Sequence, residues 1–322
     1  MIIMAILDFS YWSLIIPLVL QPVIRHMMLE KVTKFGIHIY GWKLARLGLS
    51  KIKVLFRSVS IFNFFNYFAR NADNFAVGKF YGESSLGLYD RAYKFLYMAR
   101  RLINSTLGPV LFPSLIDGKS KGEDINQHFH DILGMLNLIN IVIAIPLIFF
   151  ARPLTLLLWG HDWLQVADYL PYVGAIIPLQ SITIAAEDMY MLEGKERAYL
   201  TLGVPSALIL VAGIVVGTFF SPLHILRFYA IAFIMVQTPV ILYFGYYKIL
   251  NFTKKQIFLF WLPKIILTSA MIFSIWFGNI IITACLMALF VFDTIYFRFS
   301  DLKEIFIILK AKLYKKEVGN NW

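Results

Sequence analysis

Residues 132–150 read ILGMLNLINIVIAIPLIFF. No acid or base interrupts this stretch. Its length matches the hydrocarbon thickness of a bilayer, which about 20 apolar residues cross as a helix. Comparable segments lie near 11–29, 55–80, 84–114, 166–192, 199–219, 225–247, 257–276 and 279–297. Together they predict an all-α polytopic transmembrane bundle with about nine crossings.

Composition agrees. The chain is 59% hydrophobic and 15% charged, where a soluble domain carries about 25% charged residues. No length of it reads as a separate soluble domain. The formal net charge of +11 would suggest nucleic acid in a soluble protein. Here the basic residues sit mainly in short connections, so the positive-inside rule explains them better and no nucleic-acid partner is expected. If connections alternate between faces, one face holds 20 of the 30 Lys and Arg, including Lys31, Lys43, Lys195, Lys254 and Lys315. The opposite connections hold only Lys79 and Arg152. This asymmetry predicts an N-terminus outside and a cytoplasmic C-terminus, in an inner, bacterial-type membrane. The first apolar segment lacks the basic start and small-residue cleavage site of a signal peptide and reads as a retained crossing. The basic tail, with IFIILKAKLY, reads as a surface-lying amphipathic helix.

Several chemistries find no support. The single cysteine, Cys285, cannot form a disulfide within the chain and is expected to be a packed, inert thiol. The six His show no metal-ligand spacing. No phosphate-binding loop, nucleophile elbow or zinc-protease motif occurs. No cofactor, metal or enzymatic activity is expected. Prolines recur inside the apolar segments, Pro146, Pro178, Pro205 and Pro239 among them, as in helices that bend around a cavity. Gly213 and Gly217 make a small-xxx-small pair suited to close helix packing.

The informative residues are polar and lie within the apolar segments. In IFNFFNYFARNADNFAVGKFYG, residues 61–82, Asn63, Asn66, Arg70 and Asp73 or Asn74 share one helical face. A charge at mid-membrane costs about 2.5–3.5 kcal/mol even on the lenient insertion scale, so this stripe must face protein or water. Asp73 can pair with Arg70. In the next segment Asp90, Lys94, Tyr97, Arg101 and Asn104 share a face, with Arg91 and Arg100 at its flanks. A bland alternative is that some of these are interfacial side chains that snorkel to the surface. Gln180, Thr183 and Glu187 share a face that is either an inner gate or a solvated helix end. Asn137 and Asn140 read as interhelical hydrogen-bonding residues, and Lys264 and Asp293 as a possible pair.

The stretch from 66 to 114 carries N-Y-F-x-R-N-x-D-N at 66–74, G-K-F-Y-G at 78–82, L-G-x-Y-x-R-A-Y at 86–93 and L-F-P-S at 111–114. It resembles the polysaccharide transporter branch of the multidrug/oligosaccharidyl-lipid/polysaccharide exporters, the Wzx-type flippases of lipid-linked oligosaccharides. RPLTLLLWGHDW at 152–163 and EGKERA at 193–198 fit the same likeness. It implies two lobes of helices around a central cavity, this chain corresponding to the carboxy-terminal lobe plus one helix. The organisation so expected is a last first-lobe helix and basic linker over 1–53, the transmembrane lobe over 54–298 and a basic cytoplasmic tail over 299–322. The implied function is flipping an undecaprenyl-diphosphate-linked glycan, such as an O-antigen or other surface-polysaccharide unit, across the inner membrane. The implied partners are that lipid-linked glycan, the bilayer, other glycan-assembly membrane proteins and a first lobe. Asn66, Arg70, Asn74, Lys94 and Arg101 would line the cavity and hold the substrate. Asp73, Asp90 and Glu187 would serve ion coupling or ion pairing. The alternatives are a membrane polymerase or ligase of glycan assembly, or a remnant that does not transport.

Overall fold

The computed structural model describes residues 12–33, 71–106, 125–193 and 195–296. Every regular element among them is helical. The chain divides into two compact units, residues 1–63 and 64–322. The first contains helix α1, Trp12–Thr33, which carries Pro17 and Pro22 in its interior.

The second unit is a bundle. Its helices are α2 (Ala72–Thr106), α3 (Ile125–Phe149), α4 (Ala151–Trp159), α5 (Leu170–Ile176), α6 (Gln180–Leu192) and α7 (Glu196–Gly217). α8 (Pro222–Ile249), α9 (Ile257–Trp276) and α10 (Ile280–Tyr296) follow. α3, α8 and α9 are each long and apolar enough to cross a membrane, and α7 and α10 contain shorter apolar helices. His161–Asp168 with Leu170–Ala186 forms a further candidate, bent by 44°. The described residues thus hold three such helices, or four with the bent pair. The polar content that marks α2 keeps it out of that group.

Contacts gather at two ends of the unit. At one, the Tyr81 hydroxyl donates to the Thr218 carbonyl at 2.9 Å and the Arg91 guanidinium lies 3.5 Å above the Trp163 ring. At the other, Asn126 Nδ2 donates to the Leu250 carbonyl at 3.1 Å and Lys195 Nζ to that of Ile249 at 2.6 Å. The core between them is built on large buried side chains, among them Tyr89, Phe129, Phe233, Tyr246 and Trp261.

Glycine sets the closest approaches. A Cβ on Gly213 would fall 2.8 Å from the Phe228 carbonyl oxygen, and one on Gly217 would run into the Ile225 backbone. α7 and α8 therefore touch backbone to backbone, the packing expected of small residues in a membrane. Where α5 meets α6, the 3₁₀ turn Ile177–Leu179 interrupts the helix at Pro178. Asn137 Nδ2 donates to the Pro178 carbonyl at 2.7 Å, and Thr294 Oγ1 donates to Asn137 Oδ1 at 3.4 Å. Asn137 is thus the interhelical link its sequence position suggested. Cys285, in contrast, is not packed: it is exposed on α10.

Candidate functional site

α2 is two helices. Gly82 breaks it with φ 82° and ψ 178°, a conformation open essentially only to glycine. The Tyr89 hydroxyl nevertheless donates to Asp73 Oδ2 at 3.1 Å. Along a straight helix those residues would stand about 24 Å apart at 1.5 Å per residue. The chain therefore folds back at Gly82, and Asp73 and Tyr89 face each other across a helical hairpin.

The Asp73 carboxylate is buried, at 2% exposure. Its Oδ1 accepts from the Asn74 backbone N–H at 2.8 Å. Tyrosines surround it. Tyr89 and Tyr93 stack with centroids 4.8 Å apart. Tyr169 meets Tyr89 edge-on at 6.2 Å, and Tyr229 of α8 lies 6.0 Å from Tyr93. An acid buried in hydrocarbon-like surroundings is tolerated only with such donors. The side-chain oxygen of Asn74 is buried beside it with no donor of its own.

The second half of the hairpin is amphipathic. Tyr89, Ala92, Tyr93, Leu96, Ala99 and Ile103 are buried. Lys94, Tyr97, Arg101 and Asn104 are exposed and Asp90 partly so. Their spacing puts them on one stripe, the face the sequence pattern defined. Lys94 Nζ lies 3.5 Å from Asp90 Oδ2, and the two side chains remain 60% and 48% exposed. Arg91 is turned to the flank, against Trp163 and Trp159 at 3.5 and 5.8 Å.

Of the residues singled out from sequence, Asp73, Asn74, Asp90, Lys94 and Arg101 thus belong to one hairpin. Asp73 faces inward, and the stripe from Asp90 to Asn104 faces outward. Asn63, Asn66 and Arg70 lie outside the described residues, and with them the Arg70–Asp73 pair. Glu187 falls on α6, and its side chain is outside the described set. On the same helix Gln180 and Thr183 are buried, not part of a solvated end. The Lys264–Asp293 pair forms at 2.6 Å, between α9 and α10. Among the described residues no three metal-ligating side chains gather.

The tyrosines around Asp73 escaped the sequence reading. Tyr89 and Tyr93 are one helical turn apart, a visible signal, but Tyr169 and Tyr229 meet these two rings only through the packing of α2 against the start of α5 and against α8.

Residues 1–168 match the model of a family described as "Polysaccharide biosynthesis protein". That is more than half of the chain. The chain belongs to this family. Among curated proteins it is similar to the teichuronic acid biosynthesis protein TuaB of Bacillus subtilis (strain 168), with 26% identity over 149 residues. The match covers 46% of this chain and 30% of that relative. No solved structure matches the chain. The matched region of this membrane protein includes the whole α2 hairpin.

Proposed function

We propose that this chain is part of a flippase that carries a lipid-linked oligosaccharide across the bacterial inner membrane for surface-polysaccharide synthesis. The observation that carries this reading is the cationic stripe on α2. Lys94 and Arg101 are exposed on a helix whose other face is buried in the lobe. An anionic lipid headgroup crossing hydrocarbon requires a wet, cationic path, and guanidinium groups suit phosphate and carboxylate in particular. In a two-lobe transporter this face looks across the cavity onto the second lobe, and alternating access comes from rocking of the two.

In this scheme Lys94 and Arg101, with Asn66, Arg70 and Asn74, bind the diphosphate or acidic sugars. Asp90 tunes Lys94. Asp73, within its tyrosines, and Glu187 couple transport to a proton or cation. The family and the relative named for teichuronic acid support a polysaccharide role, and an acidic polymer would suit the stripe. The lobe is oriented with the Lys195 and Asn126 end in the cytoplasm, and with α1 the chain makes about nine crossings.

Export of surface polysaccharide in cells carrying Lys94→Ala/Arg101→Ala tests this reading. The expected result is lost export, undiminished protein in the membrane and lipid-linked substrate accumulating on the cytoplasmic side. Unpolymerised product accumulating outside would instead indicate a polymerase or ligase. Undiminished export would remove the stripe from the substrate path.

A further inference from the structure

The turn between α8 and α9, residues 250–256, joins two helices that are each long and apolar enough to cross a membrane. Its shape is fixed from inside. Phe252 is buried, with its ring 5.1 Å from Tyr246 and 6.1 Å from Phe129. Its N–H donates to the Tyr246 carbonyl at 2.9 Å. Asn251 takes φ 58°, a left-handed conformation for which asparagine is favoured over most residues. The carbonyls at the end of α8 are also taken, Leu250 by Asn126 and Ile249 by Lys195. They are not left to draw the neighbouring ammonium groups back onto the helix end.

Lys248, in the last turn of α8, and Lys254, just ahead of α9, are both exposed. They converge on one ring: their Nζ atoms lie 5.4 and 5.9 Å from the Tyr247 centroid. Lys248 Nζ is also 5.8 Å from the centroid of Tyr243, whose ring lies 5.8 Å from that of Tyr247. Exposed Lys255 adds a third positive charge beside Lys254. Among the described residues none of these lysines pairs with a carboxylate. Like charges gathered on one ring favour an anion between them.

The surrounding surface indicates which anion. One turn back along α8, Tyr243 and Phe244 are exposed, and so are Phe258 and Leu259 at the start of α9. On membrane-length helices these positions face lipid, and tyrosine with lysine marks the headgroup level. A ligand that satisfies both the charges and the apolar flanks is an amphiphile with an anionic head. Free phosphate would meet the lysines and leave Phe244 and Phe258 uncovered.

We propose that Lys248 and Lys254, set around Tyr247 at the α8–α9 turn, hold the phosphate of an anionic membrane phospholipid. The site uses no residue of the α2 stripe and holds whether or not the chain is a flippase.

The test is native mass spectrometry of the purified full chain with phosphatidylglycerol and with zwitterionic phosphatidylethanolamine. Wild type should retain phosphatidylglycerol in preference. Lys248→Gln/Lys254→Gln should lower that preference about 25-fold, which corresponds to about 2 kcal/mol for two lysines at a charged membrane surface. Lys79→Gln is the control: Lys79 is also exposed and lies 5.8 and 5.7 Å from the Phe75 and Phe80 rings, but no second cation shares them among the described residues. It should retain phosphatidylglycerol as wild type does. Equal retention of the two lipids by wild type overturns the proposal. So does wild-type preference in the double variant at a matched melting temperature, or an equal loss in Lys79→Gln. Dimer masses that vanish in the double variant while lipid retention is unchanged would give this face to a second copy and overturn it too. If the double variant fails to fold, wild-type preference in both Lys248→Gln and Lys254→Gln overturns it.

Discussion

The α2 hairpin and the α9–α10 hairpin are built on the same plan with different chemistry. Each turns at a glycine with positive φ, 82° at Gly82 and 69° at Gly278. Each is tied across by one buried or nearly buried aspartate. In α9–α10, Asp293 meets Lys264, which is fully buried, donates also to the Phe260 carbonyl at 3.0 Å and lies 3.5 Å above the Phe260 ring. In α2, Asp73 meets the neutral hydroxyl of Tyr89 and a backbone N–H. Asp293 has its counter-charge built into its hairpin and contributes cohesion there. Among the described residues Asp73 receives hydrogen bonds but no positive charge. Such a carboxylate is suited to exchange a proton or a cation, and a carboxylate locked to ammonium is not.

The largest expected effect tests the cohesive half of this contrast. Lys264→Met strands Asp293 in the membrane interior and should cost about 3–5 kcal/mol, the range for removing one partner of a buried pair. The measurement is thermal unfolding in detergent. Lys264→Met/Asp293→Leu removes both charges and should restore stability to within about 1 kcal/mol of wild type, because well-packed apolar replacements of a buried pair are close to neutral. A double variant as unstable as the single one would mean that the pair does more than balance its own charge.

Asp73 should behave differently. Asp73→Asn keeps an acceptor for Tyr89 and should cost about 1 kcal/mol, while polysaccharide export is lost. Tyr89→Phe removes a donor and should cost about 1–3 kcal/mol by leaving the carboxylate short of a partner. If Asp73→Asn destabilised the chain as much as Lys264→Met with export intact in the folded fraction, Asp73 would be a second Asp293 and the contrast would fail.

These two hairpins also show how far the sequence could be read. Segment length alone marks 132–150, and helical spacing puts Asp90, Lys94 and Arg101 on one face. Both are properties of a single helix, and both hold in the structure. The Lys264–Asp293 pair was legible because an intramembrane lysine has few possible partners. The surroundings of Asp73 were not. The 63–74 spacing aligned it with Asn66 and Arg70, but periodicity cannot show that the chain reverses at Gly82 and brings Tyr89 back upon it. Cys285 was misjudged because an apolar neighbourhood in sequence does not distinguish a helix facing its neighbours from one facing lipid.

The two turns should respond alike, since a Cβ on either Gly82 or Gly278 would meet nothing within 4 Å. Gly82→Ala and Gly278→Ala therefore incur only the backbone term, about 1–3 kcal/mol each for a side chain held in that region of φ. Thermal unfolding of both variants checks this. A much larger loss at Gly82 would show that the fold-back carries strain beyond its own dihedral angles, which the α9–α10 turn does not.

The smallest effect on stability should accompany a complete loss of function. Lys94 and Arg101 are exposed on the side of α2 away from its buried face. Exposed substitutions of this kind stay within about 0.5 kcal/mol, and the Asp90–Lys94 contact, open to solvent, adds little. Lys94→Ala/Arg101→Ala should thus unfold at the wild-type temperature and still export nothing. The same readouts on Lys264→Met should give the reverse order, with unfolding first and export falling only in proportion to the folded fraction. A stripe whose removal melted the protein would be a packing surface for another helix, and the cationic path would then have to be sought elsewhere in the lobe.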